Sequence, residues 1–286
     1  MHAPIPRTEA APPLDARAIA SAWTIEPGLV LALALAALVY ARGWRRLRAG
    51  RAGRAPAWRL VAFVSGLGAL FVALASPLDT FADRSLAVHM AQHLVLLVIV
   101  PPLLLAGAPI APILHSLPAG RARARAGLVA ARLGDVVGHP LVCLVAFSLA
   151  VWCWHVPAAF ELALRSRAWH VAEHATFLAA GLLFWSPVVA PWPTRPHWPR
   201  WTMVPYLLVA DLQNTALAAI LIFSDRILYS TYGTTPDALR DQVTAGLLMW
   251  VPMSIAYLVP AATITYRLLS PPTISSRRAI AASTIS

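Results

Sequence analysis

The sequence predicts an all-α integral membrane protein, a bundle of seven transmembrane helices, and three observations lead to this fold class. Of the 286 residues, 59% are hydrophobic and only 12% are charged, and the mean hydropathy is +0.66. Water-soluble domains contain about 45–50% apolar and about 25% charged residues, so this chain lacks the polar surface that a soluble protein needs. The apolar residues form long runs, and arginines cluster between those runs.

Seven apolar runs approach or reach the length of about 20 residues that a transmembrane helix needs. They cover residues 23–40, 58–76, 86–107, 140–155, 169–191, 203–223 and 243–265. Glu26 and Pro27 interrupt the start of the first run. The residues before it lack the basic segment of a signal peptide, so we expect this span to be retained. In the third run, Pro101 and Pro102 predict a kink near one end.

The distribution of arginine predicts the orientation. Of the 23 basic residues, all arginine, 16 lie in the first, third and fifth loops and the C-terminal tail, and 7 lie on the other side. Basic residues are enriched in cytoplasmic loops, so we expect the N-terminus outside and the C-terminus in the cytoplasm. The predicted parts are an N-terminal periplasmic tail (1–22), a multi-pass transmembrane domain (23–267) and a C-terminal cytoplasmic tail (268–286). This topology explains the net charge of +11, so the expected surroundings are a lipid bilayer and no nucleic acid.

Histidines collect at the predicted outer ends of three helices. With one neighbouring acid, they form the main set of candidate metal ligands: His89, His93, His155, His170, Glu173 and His174. His89 and His93 are four residues apart and therefore share one helix face, as do His170 and His174. A histidine in a membrane helix is unfavourable unless it is paired, solvated in a cavity or bound to a metal. We therefore expect the histidines to converge, either on a metal ion or in hydrogen bonds that hold the helices together.

Met249 and Met253 add soft ligands on one stripe of the seventh helix. Imidazole suits copper and zinc, whereas thioether sulfur favours Cu(I). These donor types fit copper or zinc, and the residues alone leave open which metal is bound. Both methionines are also candidates for plain packing residues.

Two other patterns suggest different chemistry. Residues 170–174 fit the H-x-x-E-H signature of a zinc peptidase, but the pattern is short and lies at a membrane boundary. Asp211 shares a face of the sixth helix with Asn214 and Thr215, which fits either a proton or ion relay or an interhelical hydrogen-bond cluster.

Ordered motifs extend from residue 76 to residue 250. In chain order they are Ser76-Pro77-Leu78-Asp79, His89-Met90-x-Gln92-His93, Pro101-Pro102-Leu103-Leu104, Gly107-x-Pro109, His155-x-Pro157, His170-x-x-Glu173-His174, Phe184-Trp185-x-Pro187, Leu228-Tyr229-x-x-Tyr232 and Asp241-Gln242-x-x-Ala245-Gly246-x-x-Met249-Trp250. This set resembles the caa(3)-type cytochrome c oxidase assembly factor family, CtaG. The name is shared with an unrelated single-span copper chaperone, whose architecture this chain lacks.

The resemblance implies a seven-helix, multi-pass protein of the bacterial inner (plasma) membrane that is needed to assemble a haem–copper oxidase, with a suspected role in providing copper. It places the histidines and the glutamate named above in the candidate site. We therefore expect a non-enzymatic assembly factor that binds copper at the periplasmic face or hands it over there to a cytochrome c oxidase subunit. Two alternatives stay open: a haem-binding redox protein with axial histidines, and a copper transporter with Asp211 on its path.

Overall fold

The computed structural model describes residues 22–50, 56–194 and 198–270, and this part of the chain is helical, without strands. Nearly all of the predicted N-terminal tail and most of the predicted C-terminal tail lie outside the described residues. In chain order the helices are α1 (Pro27–Ala49), α2 (Ala57–Ala75), α3 (Pro77–Ala82), α4 (Leu86–Ala106), α5 (Ile110–Ser116), α6 (Arg121–Val137), α7 (Pro140–His155), α8 (Pro157–Arg165), α9 (Arg167–Val189), α10 (Met203–Phe223) and α11 (Pro236–Leu269).

Five of the described helices are long and apolar enough to cross a membrane, namely α1, α2, α4, α10 and α11. Helices α6 and α7 meet at a bend of 79° and would together add a sixth span. Helix α9 has 23 residues, but His170, Glu173 and His174 in its first half lower its hydropathy below that of the five. The structure is thus that of a multi-pass membrane protein, and the count of seven spans stays a prediction.

The helices extend further than the apolar runs predicted. Helix α1 continues to Ala49, so several arginines assigned to the first loop lie on the helix. Arginine is a good helix former, and Arg46 donates hydrogen bonds to the last carbonyls of α5. Helix α11 begins at Pro236 rather than 243, because proline at the first position and Asp237 in the first turn favour a helix start.

Four helices, α3, α5, α6 and α8, occupy segments that the sequence analysis left as connections, so this part of the prediction was wrong. A search for long apolar runs does not detect short or polar helices. Helix α6, for example, is rich in alanine and arginine, which have high helix propensity but low combined hydropathy.

Helix α4 is the central element, since it packs against α2, α3, α9 and α11. The side chain of Asp241, from α11, caps its N-terminus. The carboxylate accepts hydrogen bonds from the hydroxyl of Ser85 (2.8 Å), the N–H of Leu86 (2.6 Å) and the N–H of Ala87 (3.3 Å). An anion at a helix N-terminus satisfies free N–H groups and interacts favourably with the helix dipole. This contact fixes the start of α4 relative to α11.

The middle of α4 is irregular. A π-helical segment, Val95–Ile99, follows directly after the histidine-bearing turns. Pro101 has no N–H, so the carbonyl of Leu97 loses its regular helical partner. The indole N–H of Trp185, on α9, donates to that carbonyl at 2.9 Å. Helix α9 is therefore hydrogen-bonded to α4 at the point where the hydrogen bonding of α4 itself is interrupted.

Gly181 lets α9 approach α4 closely. A Cβ atom at this position would lie 2.7 Å from Cγ of Pro101 and 3.1 Å from the carbonyl oxygen of Leu97. Both distances are shorter than ordinary van der Waals contact, and one of the two contacts is with rigid backbone. The absence of a side chain at Gly181 therefore sets the spacing between the two helices.

Replacing Gly181 with alanine is expected to push α9 away from α4 and to lower the free energy of unfolding by about 1–3 kcal/mol, the usual effect of overpacking. The matched control is Gly68→Ala on α2, where an added Cβ would meet nothing within 4 Å. Thermal unfolding of the two purified variants in detergent checks this. Equal stability of the two variants would contradict the close-approach argument.

Candidate metal centre

The side chains of four residues converge between α4 and α9. His89 and His93 come from α4, and Glu173 and His174 come from α9; one possible ligand atom from each lies within 4.8 Å of all the others. All four are buried by protein, with exposed fractions of 0%, 3%, 0% and 9%. We call this set the histidine–glutamate cluster. It joins helices that are far apart in sequence but packed against each other.

Glu173 lies in the cluster without a hydrogen-bond partner on either carboxylate oxygen. Its nearest basic atoms are Nε2 of His93 at 3.7 Å and Nε2 of His89 at 3.8 Å, both beyond hydrogen-bonding distance. A buried carboxylate that lacks partners is strongly unfavourable. Three imidazoles and one carboxylate are donor types that bind copper and zinc in proteins. The cluster therefore offers a donor set that fits a metal cation.

A tyrosine outside the spans fixes the orientation of the His89 ring. The hydroxyl of Tyr232 donates to the carbonyl of Ala82 at 3.0 Å and lies 2.8 Å from Nδ1 of His89. Burial, with the nearby charges of Asp83 and Glu173, raises the pKa of Tyr232 well above its ordinary value, so the hydroxyl keeps its proton. Since that one proton is donated to Ala82, Nδ1 of His89 supplies the hydrogen to Tyr232. Nε2 of a neutral His89 then carries no proton, and it lies 2.9 Å from Nε2 of His93 within the cluster.

The other predicted ligands surround the cluster. The His170 ring is 4.2 Å from that of His174 and 5.4 Å from that of His89, measured between ring centroids. His155 does not enter the cluster; with Met249 and Met253 it lines a small adjacent cavity, to which His93 also contributes. The predicted convergence of the α4 and α9 histidines is confirmed, while His155 and the two methionines adjoin the cluster through His93.

A larger cavity of about 660 Å³ leads from the cluster toward the surface. His174 is the cluster residue that lines it, and His170 lies beside His174 on the same wall. Asp79 and Asp83 line it as well, while Arg167 and Glu26 form an ion pair among its lining residues.

Sequence reasoning missed three residues around the cluster. Tyr232 orients His89, and Gln92 donates hydrogen bonds to the carbonyl of Ala73 (2.8 Å) and to Asp79 (2.9 Å). Met90 lines the small cavity. All three residues lie within the motifs quoted above, and membership of those motifs was the feature of the sequence that could have identified them. Asp211 lines neither cavity; it accepts a hydrogen bond from Ser254 at 2.6 Å, which fits the interhelical alternative.

Residues 38–270 match the protein family described as cytochrome c oxidase caa3 assembly factor. The chain belongs to this family. The matched range includes every candidate ligand named above, and it confirms the resemblance that the ordered motifs indicated.

Curated relatives of this family member are found in mycobacteria. Uncharacterized proteins of Mycobacterium bovis and Mycobacterium tuberculosis are each 27% identical over 197 residues, which is 66% of this chain and 30% of the relative. An uncharacterized protein of Mycobacterium leprae is 25% identical over 233 residues, which is 74% of this chain and 34% of the relative. The match thus spans about a third of the length of these relatives. No solved structure matches this member of the family.

Replacing Tyr232 with phenylalanine removes the acceptor for the Nδ1–H of His89. We expect the affinity of the cluster for Cu(I) to fall about 10- to 100-fold, the usual effect of losing a hydrogen bond that orients a ligand. The control is Tyr266→Phe, since that side chain is 74% exposed near the end of α11. Competition with a chromophoric Cu(I) chelator measures both affinities. Equal affinities would contradict the role of Tyr232.

Proposed function

We propose that this protein assists the assembly of a haem–copper cytochrome c oxidase by binding copper as a cargo and passing it to an oxidase subunit. In this proposal the chain crosses the bacterial inner membrane seven times, with the N-terminus outside and the C-terminus in the cytoplasm. The histidine–glutamate cluster then lies toward the periplasmic face. The family supports the assembly role, and the cluster supports the copper cargo.

The observation that carries the proposal is the unpartnered carboxylate of Glu173 among three imidazoles. In an apolar interior, the stability of an ionised group depends on a compensating charge close by. Cu(I) carries one positive charge and Glu173 carries one negative charge, so the loaded cluster would have no net charge. A divalent ion would leave a net positive charge in the bundle, which is less favourable. The charge balance therefore favours Cu(I).

Transfer out of the cluster requires ligands that can be exchanged one at a time. His174 belongs to the cluster and also lines the large cavity, and His170 lies next to it on the same helix. An ion released by the α4 histidines can therefore stay bound to α9 while it moves toward the cavity. The carboxylates of Asp79 and Asp83 favour a cation in that space.

The arginines beside this cavity do not cancel the effect of the two aspartates. Arg167 pairs with Glu26, and Arg165 pairs with Glu161 at 3.0 Å, so both positive charges are balanced locally. The cavity wall formed by Asp79 and Asp83 keeps its negative character. This arrangement supports a path for a cation rather than for an anion.

The geometry is less suited to the alternative of axial haem ligation. Axial haem ligands lie on opposite faces of a porphyrin, whereas the four donor atoms of His89, His93, Glu173 and His174, all within 4.8 Å of one another, surround a single point as the ligands of one metal ion do. For transport, the candidate relay Asp211 is bonded to Ser254 and lines neither cavity near the cluster. These contacts favour one-sided delivery over both alternatives.

The first experiment replaces both His89 and His93 with alanine in a strain that depends on this protein for its oxidase. We expect a folded, membrane-inserted protein with little bound copper and defective oxidase assembly, since insertion depends on total apolarity and two histidines are lost from it. Added copper should partly restore oxidase activity. The control is His115→Ala in α5, whose ring nitrogen is bonded to its own helix at the carbonyl of Ala111.

Four measurements distinguish the readings of that experiment: protein abundance, copper content, oxidase activity and the visible spectrum. Loss of abundance without rescue by copper would indicate a structural role for the histidines. Loss of a visible absorption band would indicate haem ligation. Full oxidase activity in a normally abundant double variant would overturn the copper proposal.

The second experiment replaces Glu173 with glutamine, which keeps the shape of the side chain and removes its charge. We expect Cu(I) affinity to fall at least about tenfold, because charge-bearing oxygen ligation is lost. Stability of the metal-free protein should stay equal or rise, since the buried carboxylate has no partner there. Thermal unfolding with and without Cu(I) measures both effects. A lower stability of the metal-free variant would mean that Glu173 is a structural residue.

A further inference from the structure

The small cavity described above is lined by His93, which also belongs to the cluster. It has a volume of about 10 Å³, room for about one atom the size of a water molecule. Three of the five methionines of the chain and two histidines line this cavity, so polarisable sulfur and imidazole nitrogen lie close together there. These residues are Met90, His93, His155, Met249 and Met253. They come from α4, α7 and α11.

His155 presents a free lone pair at this position. Its Nδ1 lies 2.7 Å from the carbonyl oxygen of Val151, which can only accept a hydrogen, so Nδ1 carries the proton. Nε2 of a neutral His155 is then unprotonated. It is buried and has no hydrogen-bond partner.

The same reasoning applies to His93. Because His89 donates its Nδ1–H to Tyr232, Nε2 of a neutral His89 accepts a hydrogen bond, and the donor is Nε2–H of His93 at 2.9 Å. The lone pair of His93 is then on Nδ1, which is buried and has no partner. Both imidazoles that line the small cavity thus carry an unused nitrogen lone pair.

Asn214 holds the backbone of α11 at this position. Its side-chain N–H donates to the carbonyl of Met249 at 3.0 Å, while its own Oδ1 is buried and unpartnered. Met249 and Met253 are one helical turn apart and 4% exposed each, so both are fixed on the same buried face of α11.

We propose that this small cavity is a second metal position, specific for a soft monovalent cation such as Cu(I), with thioether and imidazole ligands. It rests on the proposed function in taking copper as the cargo, but it assigns different ligands. Thioether sulfur binds Cu(I) well and binds zinc or oxidised copper poorly, so this position would select the reduced ion. The histidine–glutamate cluster has nitrogen and oxygen donors only, so its preference for Cu(I) depends on charge balance and not on soft ligands.

His93 connects the two positions, since it belongs to the cluster and also lines the small cavity. A neutral imidazole has one lone pair, so His93 serves one position at a time: the cluster through Nε2 or the small cavity through Nδ1. Passage of an ion between the positions moves the ring proton from one nitrogen to the other. No electron is transferred and no proton is gained or lost in that step.

X-ray absorption of the full-length protein, loaded with Cu(I) in detergent, tests the proposal directly. We expect sulfur as well as nitrogen neighbours around the copper. The test variant is Met249→Leu combined with Met253→Leu, which nearly conserves side-chain volume; it should lose most of the sulfur signal and at least tenfold in Cu(I) affinity. Zinc affinity should change less than twofold.

The matched control is Met203→Leu on α10, a methionine that is 3% exposed but does not line the cavity. It should behave like the unmodified protein. A third variant, His89→Ala with His174→Ala, removes half of the cluster and should keep the sulfur signal. Loss of sulfur in that variant would overturn the proposal of a separate position.

The unmodified protein decides between the remaining outcomes, even if the methionine variant does not fold. Copper surrounded by nitrogen and oxygen alone would overturn this inference and leave the copper cargo intact. A protein that binds no copper would overturn both. Unchanged sulfur signal and affinity in a folded methionine variant would show that the methionines are packing residues.

Discussion

The buried carboxylate of Glu173 is the constraint on which the rest of this structure depends. It lies in an apolar bundle, fully shielded from solvent, with no hydrogen bond to either oxygen. Such a group stays ionised only where a cation or a polar environment compensates it. The imidazoles around it are possible ligands for such a cation. The packing of α4 against α9 therefore serves to keep these donors within a few ångströms of one another.

Several independent contacts hold that packing in place. Trp185 bonds to the carbonyl freed by Pro101, Gly181 removes the steric barrier between the helices, and Asp241 fixes the start of α4. Asp241 acts at the start of α4, whereas Trp185 and Gly181 both act near Leu97, so the helix is held at two separate heights. Ligand positions that are fixed in this way lose little freedom when an ion binds.

The sequence was sufficient for the histidine pairs but not for their roles. The i, i+4 spacing predicted which imidazoles share a face, and the packing of α4 on α9 brings those faces together. The spacing could not show that His174 belongs to the cluster while His170 lies outside it, because this difference depends on the rotation of α9 about its axis, which its contacts with other helices set. Met90 was missed because it follows His89 by one residue, about 100° around the helix. A helix that is surrounded by other helices buries side chains on more than one face. A periodicity argument assumes a single buried face.

The π-helical segment of α4 has a consequence for how the two halves of that helix are aligned. A π turn accommodates one more residue than an α turn, and each added residue changes the angular phase by about 100°. The half that carries His89 and His93 is therefore out of phase with the half that begins at Val100 and packs on α2. The half that begins at Val100 can therefore pack on α2 without fixing the direction in which the imidazoles of the first half point. The Val95–Ile99 segment thus uncouples the demands of bundle assembly from those of ligand placement within a single continuous helix.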